Sequence, residues 1–309
     1  MGKEKRVPVS NPTHEIPGTG VFMAKGDGSS PFVPEIEEGY VFRKEMVEDV
    51  AFCVETNQNC MLVGDAGAGK SSLIEQIAAQ LGKPLRRLNL NGESDTTVLL
   101  GRDYPTITPD GSRTMEYIKG PLTEAVVNGY WVLIDEIDAA LQPVLFCLQQ
   151  LLEDQGKLVL EDTDGTVISK HPDFRFFSTA NTVGIAGRNR LLYSGTAQRL
   201  NEATLDRFGC VMHVGYMDSA QEVQVIKNKV PALDKDFVEA IVRIANETRK
   251  NLTDDRLTCT FSTRRCLQWA QAMTRFHPIR AAKMTVLNKL DQDDYKVLEG
   301  VVQRFFGSE

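Results

Sequence analysis

The sequence is poor in the arrangements that hold a metal by spacing. Its six cysteines (Cys53, Cys60, Cys147, Cys210, Cys259 and Cys266) form no C-x-x-C pair, and the four histidines do not gather near them. No zinc site can be read from such a pattern. Thiols in apolar surroundings, such as Cys147 in "VLFCLQQLL", read instead as buried free cysteines of a reducing compartment. No apolar run is long enough to span a bilayer. The first residues, "MGKEKRVPVS", lack the apolar stretch of a signal peptide, and Arg6 stands where a myristoylation signal needs Ser or Thr. A cytoplasmic protein with no membrane partner is expected. Nor is there a basic surplus: the formal charge is -7, which argues against nucleic acid as a partner.

What is present suits a globular protein. With 309 residues, 42% of them apolar and 25% charged, the chain can bury one large core, or a large and a small one. Residues 1–38 carry Pro8, Pro12, Pro17, Pro31 and Pro34 among glycines and serines, and read as an extended N-terminal arm, either solvated or laid on a neighbouring subunit. From 39 to 216 short apolar runs alternate with helical patterns, the signature of a parallel sheet covered on both faces. The runs "NCMLV", "LRRLNL", "WVLI", "RFFST" and "CVMHV" predict its strands. "SSLIEQIAAQL", stopped by Gly82, and "PVLFCLQQLLED", with Pro143 in its first turn, predict helices between them. Two inserts carry Asp-Gly turns between β-formers, at Asp110-Gly111 and Asp164-Gly165, and predict hairpins. Residues 217–309 predict a small helical domain, with Phe237, Ile241, Ile244 and Ala245 on one helix face.

The strongest chemical signal is "GDAGAGKS", residues 64–71, which matches G-x-x-x-x-G-K-[ST] between a predicted strand and a predicted helix. Its glycines let backbone N–H groups turn toward phosphate oxygens at a helix N-terminus. Lys70 is then expected to reach the β- and γ-phosphates of ATP, and Ser71 to hold Mg²⁺. Gly64, Asp65, Ala66, Gly67, Ala68, Gly69, Lys70, Ser71 and Ser72 are the candidate nucleotide-binding residues.

"WVLIDEID" is an apolar strand ending in acids. Asp135 suits the orientation of Mg²⁺, and Glu136 suits a base that polarises an attacking water. Asp138 reads as no more than the start of the next helix. Asn181, ending the strand of "FFSTANTVG", suits a group that positions that water or senses the γ-phosphate, although a turn-forming Asn reads equally well there. Arg207, between Asp206 and Phe208, could serve a local ion pair or a site on another chain.

In this order, a P-loop, Asp-Glu, strand-end Asn, late arginine and helical lid resemble an AAA+ ATPase. "HPDFRFFSTANTVG", "LLYSGTAQRLNEATLDRF", "FSTRRCLQWA" and "VLNKLDQDDYKVLEGVVQRFFG" resemble the MoxR group and, within it, the CobS ATPase subunits of aerobic cobaltochelatases. The resemblance implies a P-loop α/β module with two hairpin inserts and a C-terminal helical lid, closing into a ring, usually a hexamer. It makes Arg207 a finger reaching the neighbouring subunit's site, because a guanidinium stays charged and forks onto phosphate. It makes Arg264 of "FSTRR" a phosphate contact within its own chain. It implies two partners, a protein with a von Willebrand A-type domain and a large chelatase subunit. Two other readings stay open: an activator of another enzyme, and a nucleotide-gated scaffold with negligible turnover, against which Glu136 speaks.

Overall fold

A computed structural model of the chain describes residues 13–90, 96–160, 165–182, 200–253 and 261–307. Within the expected arm, residues 13–24 form a hairpin. Strands β1 (Thr13–Ile16) and β2 (Val21–Ala24) pair antiparallel, Ile16 opposite Val21. Pro17 falls in the turn, where its fixed φ helps, so it interrupts no strand. Ile16 and Met23 are buried in the same core as the helices that follow. Further along, Glu35 and Glu37 are also tied down on their own chain. Gln76 accepts from the Glu37 N–H at 2.8 Å and donates to the Glu35 carbonyl at 3.2 Å.

The main sheet has five strands: β3 (Cys60–Val63), β4 (Leu85–Asn89), β7 (Trp131–Asp135), β10 (Arg175–Ala180) and β11 (Cys210–His213). All are parallel, in the order β11-β3-β10-β7-β4. Alternate residues feed two different cores. Met61, Val63, Val132, Ile134 and Phe176 face one layer, with α4 (Pro121–Asn128) and α5 (Gln142–Leu152). Cys60, Leu62, Trp131, Leu133 and Phe177 face the other, with α1 (Lys44–Thr56) and α2 (Lys70–Leu81). Burial on both faces is why β3, β7 and β10 read as near-continuous apolar runs, while the edge strands β4 and β11 alternate.

After the short helix α3 (Thr96–Leu100), β5 (Gly101–Ile107) and β6 (Arg113–Lys119) form the first expected hairpin around Asp110-Gly111. The second is β8 (Lys157–Leu160) with β9 (Thr166–Ser169); Asp164 lies outside the described residues.

Beyond the sheet and the short helix α6 (Glu202–Leu205), a separate apolar core is built by α7 (Ser219–Lys229), α8 (Lys235–Thr253), α9 (Thr263–Met273), α10 (Pro278–Thr285) and α11 (Gln292–Phe306). Ile241, Ile244 and Ala245 are buried there as the spacing predicts. Phe237 is not: it lies at the helix edge against the Phe306 ring, 38% exposed, and Val238 fills the interior. One buried ion pair fastens three of these helices. Arg249 donates to both Glu222 oxygens at 2.8 Å, and Thr263 donates to Oε1 at 2.7 Å.

Candidate functional site

The P-loop leaves the C-terminal end of β3 and opens α2, the placement the motif requires. All three glycines of the loop are needed for steric reasons, and at Gly64 a Cβ would collide with the Val214 carbonyl oxygen. Gly69, the N-cap of α2, sits at φ 90°, where a side chain is strained. Gly67 has φ 74°, and a Cβ there would come within 2.8 Å of Ser262 in the helical domain. That same built Cβ would touch the Cβ of Arg264 at 3.6 Å, so the expected lid arginine stands directly against the loop. Tyr216 donates its hydroxyl to the Ala66 carbonyl at 3.3 Å, and the Arg249 guanidinium lies 3.9 Å from its ring centre.

Lys70 is buried at the first position of α2 and reaches back over the loop. Its ammonium donates to Gly64 O at 2.5 Å, Asp65 O at 3.0 Å and Asn181 Oδ1 at 3.1 Å. Burial pulls its pKa below the ordinary lysine value, while Asp138, Asp65, Asp135 and Glu136 pull it back up. Ser71 donates to Asp135 Oδ1 at 2.5 Å, and Thr179 of β10 donates to the same oxygen at 2.9 Å. These are hard oxygen donors, the type Mg²⁺ takes, so Ser71 and Asp135 fit the ion expected of them. Ser72, the next residue, is half-buried in the first turn of α2.

Glu136 is exposed just past β7, at φ 56°, a left-handed conformation uncommon for a residue with a side chain. Its N–H donates to Thr179 Oγ1 at 3.2 Å, which helps hold the turn. Asn181 ends β10 beside β7, as expected from the sequence, and its amide faces Lys70.

Three contributors lay outside the sequence reading. Asp138 does more than start a helix: its buried Oδ2 accepts from the N–H groups of Asn181 at 3.0 Å and Thr182 at 3.2 Å. Its carboxyl pKa is raised by burial, against the pull of those N–H groups. Arg87 of β4 donates to Asp135 Oδ2 at 2.5 Å and to Glu75 at 3.0 Å. Thr179 links both acids to the neighbouring strand. A signal existed only for Asp138, the third acid of "DEID"; Arg87 and Thr179 carry no motif.

Arg207 is elsewhere. Its side chain donates to Gln149 O at 3.1 Å and Ala203 O at 2.5 Å, and pairs with Glu153 at 3.0 Å. None of these is a P-loop residue. Asn59, immediately before β3, donates to the Arg207 carbonyl at 2.8 Å. Arg207 thus lines a polar cleft of about 680 Å³ at the other end of β3, with Glu153, Asp154 and Lys170.

The comparisons agree with this geometry. Residues 59–208 match the AAA domain of the dynein-related subfamily, and residues 222–305 match the C-terminal domain of CbbQ, NirQ and NorQ. The aerobic cobaltochelatase subunit CobS of a Sinorhizobium species is 35% identical over 93% of this chain and 86% of its own. The chain belongs to the AAA+ ATPases of the MoxR group, close to CobS. An uncharacterised Staphylococcus saprophyticus protein is 28% identical over 82% of this chain and 93% of its own. A putative ATPase from Cytophaga hutchinsonii overlays with a TM-score of 0.45 at 17% identity, over 83% of this chain and 79% of that one. As a member of this group the chain binds nucleotide and hydrolyses ATP. The first match spans P-loop to Arg207, and the second contains Arg264. No helix among the described residues is long and apolar enough to cross a membrane.

Proposed function

We propose that this ATPase is a ring-forming motor, hexameric and dependent on Mg²⁺, that remodels a partner protein as the ATPase subunit of a metal-insertion complex of the cobaltochelatase kind. The observation that carries the shared-site reading is the separation of Arg207 from its own P-loop. The two flank opposite ends of β3, whose four residues extend about 13 Å at the usual rise. An arginine so far from its own loop, yet opening on a polar cleft, suits a phosphate bound by the next subunit.

In this reading Lys70 leaves its three acceptors to meet the β- and γ-phosphates, and the loop N–H groups cradle them. Ser71 and Asp135 hold Mg²⁺, which neutralises charge on phosphate oxygens when bound. Glu136, exposed and next to Asp135, polarises the water. Asn181 fixes that water's approach, Arg264 contacts phosphate from the lid of the same chain, and Arg207 meets developing charge across the interface.

Partner contact is supported by the β5–β6 hairpin, which exposes Tyr104, Ile107, Met115 and Ile118. The register puts Tyr104 and Ile118 on one face of the hairpin and Ile107 and Met115 on the other, and exposed apolar groups on both faces suit insertion against a protein partner. By likeness to CobS, the partners are a large chelatase subunit and a protein with a von Willebrand A-type domain.

The shared site is tested by complementation. Lys70→Ala and Arg207→Ala are each expected to be inactive alone, and to regain ATPase activity when their subunits exchange. Persistent inactivity in mixed oligomers, with exchange demonstrated by mass, rejects the trans arginine.

A further inference from the structure

Sequence spacing offers no metal site, but the fold builds a sulfur cluster from three elements, two of them consecutive and the third about 150 residues on. Strands β3 and β11 are parallel neighbours with Cys60 opposite Cys210. In that register both side chains leave the same face of the sheet, side by side. Helix α1 covers this face and lowers Cys53 onto them. The three Sγ atoms lie within 4.8 Å of one another. Among the described residues they form the one such convergence of three or more Cys, His, Asp or Glu ligand atoms.

A fourth sulfur completes the group. Met212 stands two residues after Cys210 on the same face, and Cys60 Sγ lies 3.4 Å from its Sδ. Cys53, Cys60 and Met212 are buried, whereas Cys210 is half-buried and gives the cluster a path to solvent. Sulfurs bound to one ion at ~2.3 Å stand about 3.8 Å apart. The cysteine sulfurs, within 4.8 Å of one another, therefore need to draw in by about 1 Å at most.

The donor set selects the ion. Thiolate and thioether sulfur are soft and suit Cu(I), whereas closed structural zinc sites are completed by a fourth thiolate or an imidazole.

We propose that Cys53, Cys60 and Cys210, with the Met212 thioether, form a binding site for a single Cu(I) ion. Loading is ligand exchange without redox change. Each ligating thiol gives its proton to solvent as its metal–sulfur bond forms, and the ion leaves its carrier ligands. The bound ion joins α1, β3 and β11 at a point three residues beyond Arg207.

The test titrates the full reduced chain with Cu(I) under anaerobic conditions, against a chromophoric Cu(I) chelator. One ion per chain is expected, with a sulfur-only shell by X-ray absorption. Cys210→Ser, at a half-exposed position that tolerates the change, should weaken binding at least tenfold. Met212→Leu should weaken it less, and Cys147→Ser, outside the cluster, should leave it unchanged. If buried Cys60→Ser fails to fold, Cys60→Ala replaces it and should also lose the ion. The proposal is overturned if the chain takes up no stoichiometric Cu(I). It is equally overturned if Cys210→Ser binds as the unaltered chain does, or if Zn(II) is held more tightly than Cu(I) and Met212→Leu changes neither.

Discussion

The Lys70 ammonium and the Asn181 amide oxygen lie 3.1 Å apart, across two neighbouring elements of the sheet's C-terminal edge. The residue expected to grip phosphate is thus in contact with the residue expected to position the attacking water. On the proposed function, ATP draws Lys70 away from this contact, and the freed amide can then turn to water. Asn181→Ala should leave nucleotide affinity within a few-fold, because Lys70 keeps its other acceptors. Turnover should fall about 100-fold, the usual effect of losing one aligned polar group. Fluorescent-nucleotide binding and steady-state ATPase rates measured together check the split. An equal loss in both would assign Asn181 to binding instead.

Arg87 occupies the Asp135 oxygen that Ser71 and Thr179 leave open. Arg87→Met removes a hydrogen bond to a buried carboxylate, for which about 1–2 kcal/mol of stability is expected after allowing for the half-exposed guanidinium. It also makes the site more negative. The Mg²⁺ concentration for half-maximal ATPase should therefore drop, and a rise would contradict a direct link between Arg87 and the metal-binding oxygen.

Asp138 predicts a pH dependence. Burial raises its folded pKa above the usual 3.8, so the folded state holds the proton more tightly than the unfolded chain does. Stability then falls as pH climbs from about 4 through the raised folded value, and the penalty persists at neutral pH. Asp138→Asn should remove this pH-dependent loss while weakening the hold on the Asn181 and Thr182 N–H groups. Urea unfolding at pH 4 and pH 7, compared with turnover at pH 7, separates the two effects. A variant whose stability keeps the original slope between those pH values would sink the assignment.

Glu222 and Arg249 form a two-pronged ion pair in which Glu222 is fully buried and the Arg249 side chain only 11% exposed. Glu222→Ala strands that guanidinium, with an expected loss of about 3–5 kcal/mol. Replacing both partners with apolar residues should be milder. Denaturant melts followed by Trp269, buried in the same helical core, report this directly. A Glu222→Ala variant no less stable than the double replacement would show that the stranded charge is not what destabilises.

Much of the α/β scaffold was legible because its three inner strands, β3, β7 and β10, are buried on both faces and bounded by loops, so their apolar runs stand out. The motif residues were legible for a related reason: a phosphate loop allows few residue types. The N-terminal hairpin was hidden because Pro17 looked like a breaker when it serves the turn, and four-residue strands show little alternation. Helices α1 and α4 went unread, although Pro121 and Gly129 bracket α4 as start and stop signals. Arg87 and Thr179 could not be found from spacing, since they meet Asp135 only through the register of β4, β7 and β10. The cysteines illustrate the same limit. Positions 53 and 60 match no ligand spacing, and 210 joins them only when β11 docks on β3.

The contact between Gly67 and Ser262 has a mechanical consequence. A bare Cα on one side and a small hydroxyl on the other let two separately packed bodies mesh like gear teeth with no clearance. Any rotation of the helical body must push on the loop or pull away from it, and the loop has Tyr216 as its second tether. Nucleotide release is then geared to the angle between the bodies. A single methyl at position 67 would act as a wedge, pressing on Ser262 while straining the loop at its left-handed φ of 74°.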